Sequence, residues 1–256
     1  MGLDPNDASS AAVRDDVRVV APRARRPGRC VVLALTVVLT MAMGTLLAGC
    51  GTASPESPPS GIDELEIPTP SPDPGDFVAQ VDNPWLPLTP GASWIYDVSG
   101  ATSGTLTVTV RDAPMRIAGV DTTAVERLGP DGTPVVDYYA QDRAGNVWWF
   151  GREGEWQAGA DGAEAGVAMP ADPRLGDGWR AAYAEGVVDV VVTVATTDQA
   201  ATTPAGRFTG LVGLDTESSL TPEQATRSYY AEGVGLVEEV STSGPVSQTR
   251  LVSAPS

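Results

Sequence analysis

From about residue 77 onward the chain follows a period of two, and that period dictates what it can fold into. Leu106, Val108 and Val110 alternate with Thr105, Thr107, Thr109 and Arg111, which places the apolar side chains on one face of an extended strand. Val188, Val190, Val192 and Val194 form a second such row, while Val187 and Val191 make its other face apolar too, as expected of a central strand. Phe208, Val212 and Leu214 mark a third, in which Gly210 and Gly213 signal a bulge or a close backbone approach. Shorter strands are predicted at Trp94 to Val98, Thr122 to Leu128, Val135 to Gln141, Val147 to Gly151, Arg227 to Ala231, Leu236 to Ser241 and Thr249 to Val252. Turn residues separate them: Pro130, Asp131 and Gly132; Asp142 through Gly145 and Asn146; Glu232 through Gly235. Helix signals are scarce, the best being Thr221, Pro222 and Glu223, enough for one short turn. The expected fold is all-β and mainly antiparallel, a sandwich or an open half-barrel.

The first 76 residues obey other rules. Arg23, Arg25, Arg26 and Arg29 precede an uncharged apolar run from Val31 to Leu46, and Leu47, Ala48, Gly49 and Cys50 close it. A basic leader, an apolar stretch and small residues before a cleavage point are what the secretion machinery removes. The last four residues resemble the bacterial lipoprotein signal, which implies acylation of Cys50 and cleavage after Gly49. Residues 1–49 are then a signal peptide. Residues 50–76, beginning with the lipidated cysteine, are a Pro- and Ser-rich tether with too few apolar side chains to offset the entropy of ordering. Residues 77–256 are the β domain.

Charge and residue inventory exclude whole classes of function. Without residues 1–49 the chain keeps 10 Arg against 29 acidic residues, a net charge of about −19. Such a surface repels phosphate backbones, so no nucleic acid is expected as a partner. The sequence has no His and no Lys, and Cys30 leaves with the signal while Cys50 is acylated. Histidine-based nucleophile systems, Schiff-base lysines and thiolate catalysis are therefore ruled out for this chain. Carboxylate chemistry remains, with Asp137, Asp142, Glu153 and Glu155 near Trp148, Trp149 and Trp156 as the acids to consider, against the plainer reading of solvated turn residues. Asp142 to Asn146 lacks the acidic ladder of a calcium loop and reads as a hairpin turn. No catalytic residue, metal ligand or cofactor is assigned.

Two stretches, residues 83–160 and 168–256, share signals in the same order. Gly91 and Trp94 precede Tyr138, Tyr139 and Ala140 in the first; Gly176 and Trp179 precede Tyr229, Tyr230 and Ala231 in the second. An internal duplication of one small β unit is one explanation, and chance self-similarity in a turn-rich protein is the other. The run from Asn83 to Gly91, NPWLPLTPG, with Trp94 and Tyr96, resembles the opening of a group of uncharacterised bacterial secreted proteins and lipoproteins. So do Tyr139 to Gly151 (YAQDRAGNVWWFG), Met169 to Gly176 (MPADPRLG) and Tyr230 to Val237 (YAEGVGLV). The resemblance implies an envelope location and no particular activity. The β-rich make-up and the hairpin from Gly233 to Val237 bear a more distant likeness to envelope proteins with an open half-barrel, some of which carry lipids.

Adjacent aromatic residues identify the candidate binding surface. Trp148, Trp149 and Phe150 must project to both faces of their strand, so one face needs a cover or a ligand. Trp94, Tyr139, Trp149, Trp179 and Tyr230 are the expected lining of a groove, and cross-strand packing among aromatics is the competing reading. Together these features predict a lipoprotein anchored through Cys50 at the extracytoplasmic face of the cell membrane. Its expected role is a non-enzymatic binding module for an apolar or carbohydrate envelope component, with a lipid, a glycan or an envelope protein as partner. A structural or protein-interaction role and a carboxylate-dependent hydrolase are the alternatives.

Overall fold

The computed structural model describes residues 72–255. Cys50, the signal peptide and all but the end of the tether lie outside the described residues. A 3-10 turn, Pro74–Asp76, leads into fifteen strands: β1 (Phe77–Val78), β2 (Ser93–Gly100), β3 (Gly104–Val110), β4 (Met115–Ile117), β5 (Val120–Leu128), β6 (Pro134–Asp142), β7 (Val147–Arg152), β8 (Trp156–Gln157), β9 (Glu164–Met169), β10 (Gly178–Ala184), β11 (Val188–Thr203), β12 (Gly206–Ser218), β13 (Ala225–Ala231), β14 (Gly235–Ser243) and β15 (Ser247–Ser253). Residues Thr221 to Gln224 form a turn, closed by Gln224 N–H donating to the Thr221 carbonyl at 2.9 Å, not a helix.

Twelve of the strands form a ring in the order β6, β5, β3, β2, β15, β14, β13, β12, β11, β10, β9, β7, and β7 pairs back onto β6. Every pairing is antiparallel, as the period of two and the short turns require. The all-β antiparallel expectation holds. The sheet is neither a sandwich nor an open half-barrel: it is one sheet whose β6–β7 hairpin joins its two ends. Closure leaves no free edge along the ring. Curvature comes from breaks in register, three of them in the long β11–β12 hairpin at Val194/Thr196, Thr196/Gln199 and Gln199/Ala201.

The two valine and leucine rows point inward. Val110, Val192 and Val194 are buried in one large cluster with Leu211, Leu214, Val237 and Leu251, and Leu106, Val108 and Val190 pack against it. Fully burying a side chain of this size stabilises by about 1.5–3 kcal/mol, so this interior is the main source of stability. Alternation sends the other residues of β5, β6 and β7 to the opposite side of the wall. There Ala124, Val136, Tyr138, Trp148 and Phe150 make a second cluster, covered by Ile117, Ala158 and Phe77. The Phe77 ring meets Phe150 edge-on at 5.1 Å and Trp148 at 6.2 Å. One face of the aromatic triplet is thus covered by the chain itself.

The chain between β1 and β2 crosses one end of the barrel. Val81 and Leu88 belong to the interior cluster, and Leu88 N–H donates to the Val81 carbonyl at 3.0 Å. Pro84 accepts from Gly233 in the β13–β14 turn at 2.7 Å. Asn83, 1% exposed, fixes the crossing. Its Nδ2 donates to the carbonyls of Gly145 (2.8 Å) and Pro170 (3.1 Å), and its Oδ1 accepts from the backbone N–H of Trp85 and Leu86. Gln141 Oε1 accepts from the N–H groups of Asp82 and Asn83. The segment is a plug tied to three separate turns.

Candidate functional site

Beneath the plug lies a cavity of about 150 Å³. Leu86, Pro87 and Leu88 roof it; Trp94, Tyr139 and Tyr230 are in its walls, with Tyr96, Val108 and Val125 between them. Strand register places these side chains together. Trp94 pairs with Val108 and Tyr96 with Leu106 across β2 and β3, while β5 sends Thr123, Val125 and Arg127 inward on every second residue. Arg127 is the one charged residue that lines the cavity.

A polar network sits around Arg127. Its Nη2 lies 2.6 Å from Asp137 Oδ2, and Arg152 Nε donates to Asp137 Oδ1 at 2.9 Å. Asp137 is 1% exposed, a buried carboxylate held between two guanidinium groups. The Arg127 side chain is enclosed by the barrel wall yet keeps 41% of its surface accessible, because it borders the lumen. Burial works against its charge, but Asp137 and the neighbouring Tyr139 and Glu239 outweigh that and hold its pKa above the ordinary arginine value. Glu239 accepts from the Ser228 hydroxyl at 2.7 Å.

Three phenols share this environment. Burial pushes Tyr139 well above the usual tyrosine range, and the Asp137 carboxylate adds to the effect. Burial and then Glu239 push Tyr230 up to about 12. Burial, with smaller effects of Tyr230 and Glu239, raises Tyr96 further still. All three are neutral at physiological pH and serve as hydrogen-bonding groups with large apolar bodies. Trp94 donates its indole N–H to the Val234 carbonyl at 2.8 Å, and Tyr96 its hydroxyl to Leu236 at 3.1 Å. Those two donors are committed.

Of the five aromatic residues predicted as a binding surface, Trp94, Tyr139 and Tyr230 meet in the cavity. Trp179 does not reach it: it packs against the interior cluster and donates to the Val167 carbonyl. Trp149 also lies elsewhere, although it is the cross-strand partner of Tyr139. It stands edge-on to Trp156 at 5.1 Å, beneath the Arg152 guanidinium at 5.3 Å. The aromatic set is therefore divided between a cavity wall and packing.

The carboxylates considered for catalysis each have a partner. Asp137 is engaged by Arg127 and Arg152; Asp142 accepts from Asn146 and from the Trp148 indole at 2.8 Å. Glu153 accepts from the Tyr138 hydroxyl at 3.3 Å, and Glu155 lies 3.7 Å from Arg152. Among the described residues no three Asp, Glu, Cys or His side chains gather as a metal site would require. Asp142 to Asn146 is the β6–β7 hairpin turn.

Sequence reasoning missed Arg127 and Tyr96 as residues of the cavity wall, Arg152 and Glu239 as parts of the polar network around Arg127, and Asn83 as the fastening of the plug. A signal for Arg127 existed: it occupies the position after Val125 on the dry face of a strand, where a charge is out of place. Two further hollows lie outside the lumen. One, about 680 Å³, runs along the plugged end between Pro87, Pro90, Trp94, Val234 and Pro255; it shares Pro87 and Trp94 with the cavity wall. The other, about 290 Å³, lies on the outer wall near Pro72, Ala118 and Phe150.

The architecture defines a closed, plugged, twelve-stranded antiparallel barrel with a narrow aromatic lumen. No protein-family model and no curated protein matches the sequence. Two solved structures are similar to it. One is a protein from Bacteroides fragilis described as exported and of YmcC-like fold, with 14% identity and a TM-score of 0.43 over 67% of this chain and 99% of the other. The second is a protein from Parabacteroides distasonis described as a lipoprotein, with 15% identity and a TM-score of 0.40 over 66% and 97% of the two chains.

Proposed function

We propose that this chain is a lipid-anchored protein of the extracytoplasmic face of the membrane whose barrel binds a small ligand in its lumen and performs no chemistry on it. The anchor rests on the order of the basic leader, the apolar run and Cys50. Two or more acyl chains hold a protein stably at a bilayer, where one alone binds reversibly. The binding role rests on one observation: aromatic residues from three parts of the chain, Trp94, Tyr139 and Tyr230, surround a cavity that the plug roofs instead of filling. Mostly apolar walls with a few convergent polar groups are the usual make-up of a ligand site.

Titration of the purified protein with lipid and glycan fractions of the envelope, followed by tryptophan fluorescence, tests this. Trp94 borders the cavity, so occupancy is expected to change its emission. Ala168 also lines the space, and Ala168→Leu is expected to fill it and abolish the response while the thermal unfolding transition persists. An unchanged response in that variant, or none in the wild type, contradicts the reading.

A further inference from the structure

Taking the lumen as the binding site, we infer that its ligand is an uncharged, compact molecule with an apolar body that presents a hydrogen-bond acceptor, such as a carbonyl oxygen, to Arg127 and Tyr139. The argument starts from the donors left over. Trp94 and Tyr96 spend theirs on the carbonyls of Val234 and Leu236. Arg127 sets its Nη2 against Asp137, lines the cavity with 41% of its side chain accessible, and donates no other side-chain hydrogen bond to a described residue. The Tyr139 hydroxyl borders the same space and makes no hydrogen bond to another described residue. A ligand there meets donors in excess, so it must bring an acceptor.

Charge decides between a carbonyl and a carboxylate. Arg127 and Arg152 are balanced by Asp137, which touches both, and by Glu239, which acts on Arg127, Tyr96 and Tyr230. Glu155, at 3.7 Å from Arg152 in the turn between β7 and β8, adds a further negative charge to this pair. An anionic ligand leaves a net uncompensated charge against walls that are mostly apolar, and that is costly. The surface, at about −19 for the chain after Gly49, also repels it on approach. A neutral acceptor uses the same donors without either penalty.

Size limits the part of the ligand that enters. A dry cavity of roughly 150 Å³ accommodates benzene, so one small ring or a short branched chain fills the lumen. A larger ligand has room for its remainder in the 680 Å³ hollow, which shares Trp94 and Pro87 with the cavity.

Acetophenone, benzoate and toluene are matched in ring size and differ in the group presented, and calorimetric titration of the folded barrel with each at neutral pH tests the assignment. Acetophenone is expected to bind at least about 10-fold more tightly than benzoate. Tyr139→Phe is expected to weaken acetophenone by roughly 5-fold, the worth of one ordinary hydrogen bond, and to leave toluene unchanged, which shows that the variant still folds around its cavity. Benzoate binding as well as acetophenone, or acetophenone insensitive to Tyr139→Phe, overturns the neutral-acceptor assignment while the lumen remains a site. Failure of all three probes overturns the lumen reading itself.

Discussion

Asn83 shows how one side chain can organise the end of a barrel. Its amide joins carbonyls of two turns, and its oxygen caps the N–H groups of Trp85 and Leu86 inside the plug. Asn83→Ala leaves three part-buried partners, the Gly145 and Pro170 carbonyls and the Trp85 N–H, without that bond, while Leu86 N–H keeps the Asn83 carbonyl; each buried unsatisfied group costs about 1–3 kcal/mol before relaxation and water replace part of the loss. A net destabilisation of about 3 kcal/mol is expected in urea unfolding, on the scale of the larger single-residue effects. The phenols make a second prediction. Tyr230 is raised to about 12 in the folded state against the ordinary tyrosine value of 10.0, with Tyr96 and Tyr139 raised as well. The unfolded chain therefore loses these protons first. Their contribution is complete below about pH 10 and declines as pH rises from there through 12, so the denaturation midpoint is expected to fall across that window. A midpoint flat from pH 9 to about 12 argues against burial of these rings.

Among the elements, those with strong alternation were legible and those built from small residues were not. Val188 to Val194 and Leu106 to Val110 announced β11 and β3 because β-branched and leucine side chains repeat every second position. Strands β9 and β10 gave no such signal, since about half of Glu164–Met169 and Gly178–Ala184 is Ala and Gly and neither carries an alternating row of large apolar residues. The structure explains why small residues are needed there. A Cβ on Gly166 would lie 2.3 Å from the Arg180 carbonyl oxygen and 2.6 Å from Ala181 backbone carbon, beside the register break of β10. Gly166→Val is expected to force β9 and β10 apart and to cost at least about 2 kcal/mol in urea unfolding, with faster amide exchange confined first to β9 and β10. Gly213, read as a bulge or a close backbone approach, pairs with Thr196 between two register breaks of β11–β12, and the neighbour a Cβ would meet, at 2.6 Å, is the Thr196 side-chain Cγ2. The turn at Thr221 to Gln224 shows the opposite failure. Its capping residues promised a helical turn, but six residues between β12 and β13 leave room only to reverse the chain.

At the scale of the whole molecule, closure was the step that alternation alone did not reveal. A period of two says that a strand has a dry face; it does not say whether the last strand finds the first. Here the short Asp142–Asn146 turn brings β6 and β7 together, and the ring closes through a hairpin. The same ambiguity hid the site. Tyr139 lines the lumen while Tyr138 and Trp148 face the outer cluster, yet both faces of β6 are mixtures of polar and apolar residues. Outward positions elsewhere are polar, with Thr105, Thr107 and Thr109 on β3 and ion pairs such as Arg227 with Asp215 at 2.5 Å. Among the described residues the exposed large apolar side chains, including Ile95, Val187 and Val246, fall on different strands and turns. On the reading proposed above, the N-terminal anchor holds this barrel at a membrane and the lumen carries its specificity.

The most direct test of that claim is mass spectrometry of the protein drawn intact from its native membrane, measured before and after denaturation beside Ala168→Leu. The account expects the folded wild type to carry one small uncharged passenger that denaturation releases and the filled variant lacks. Identical masses for the two folded proteins, apart from the substitution itself, with nothing released from either, would contradict it.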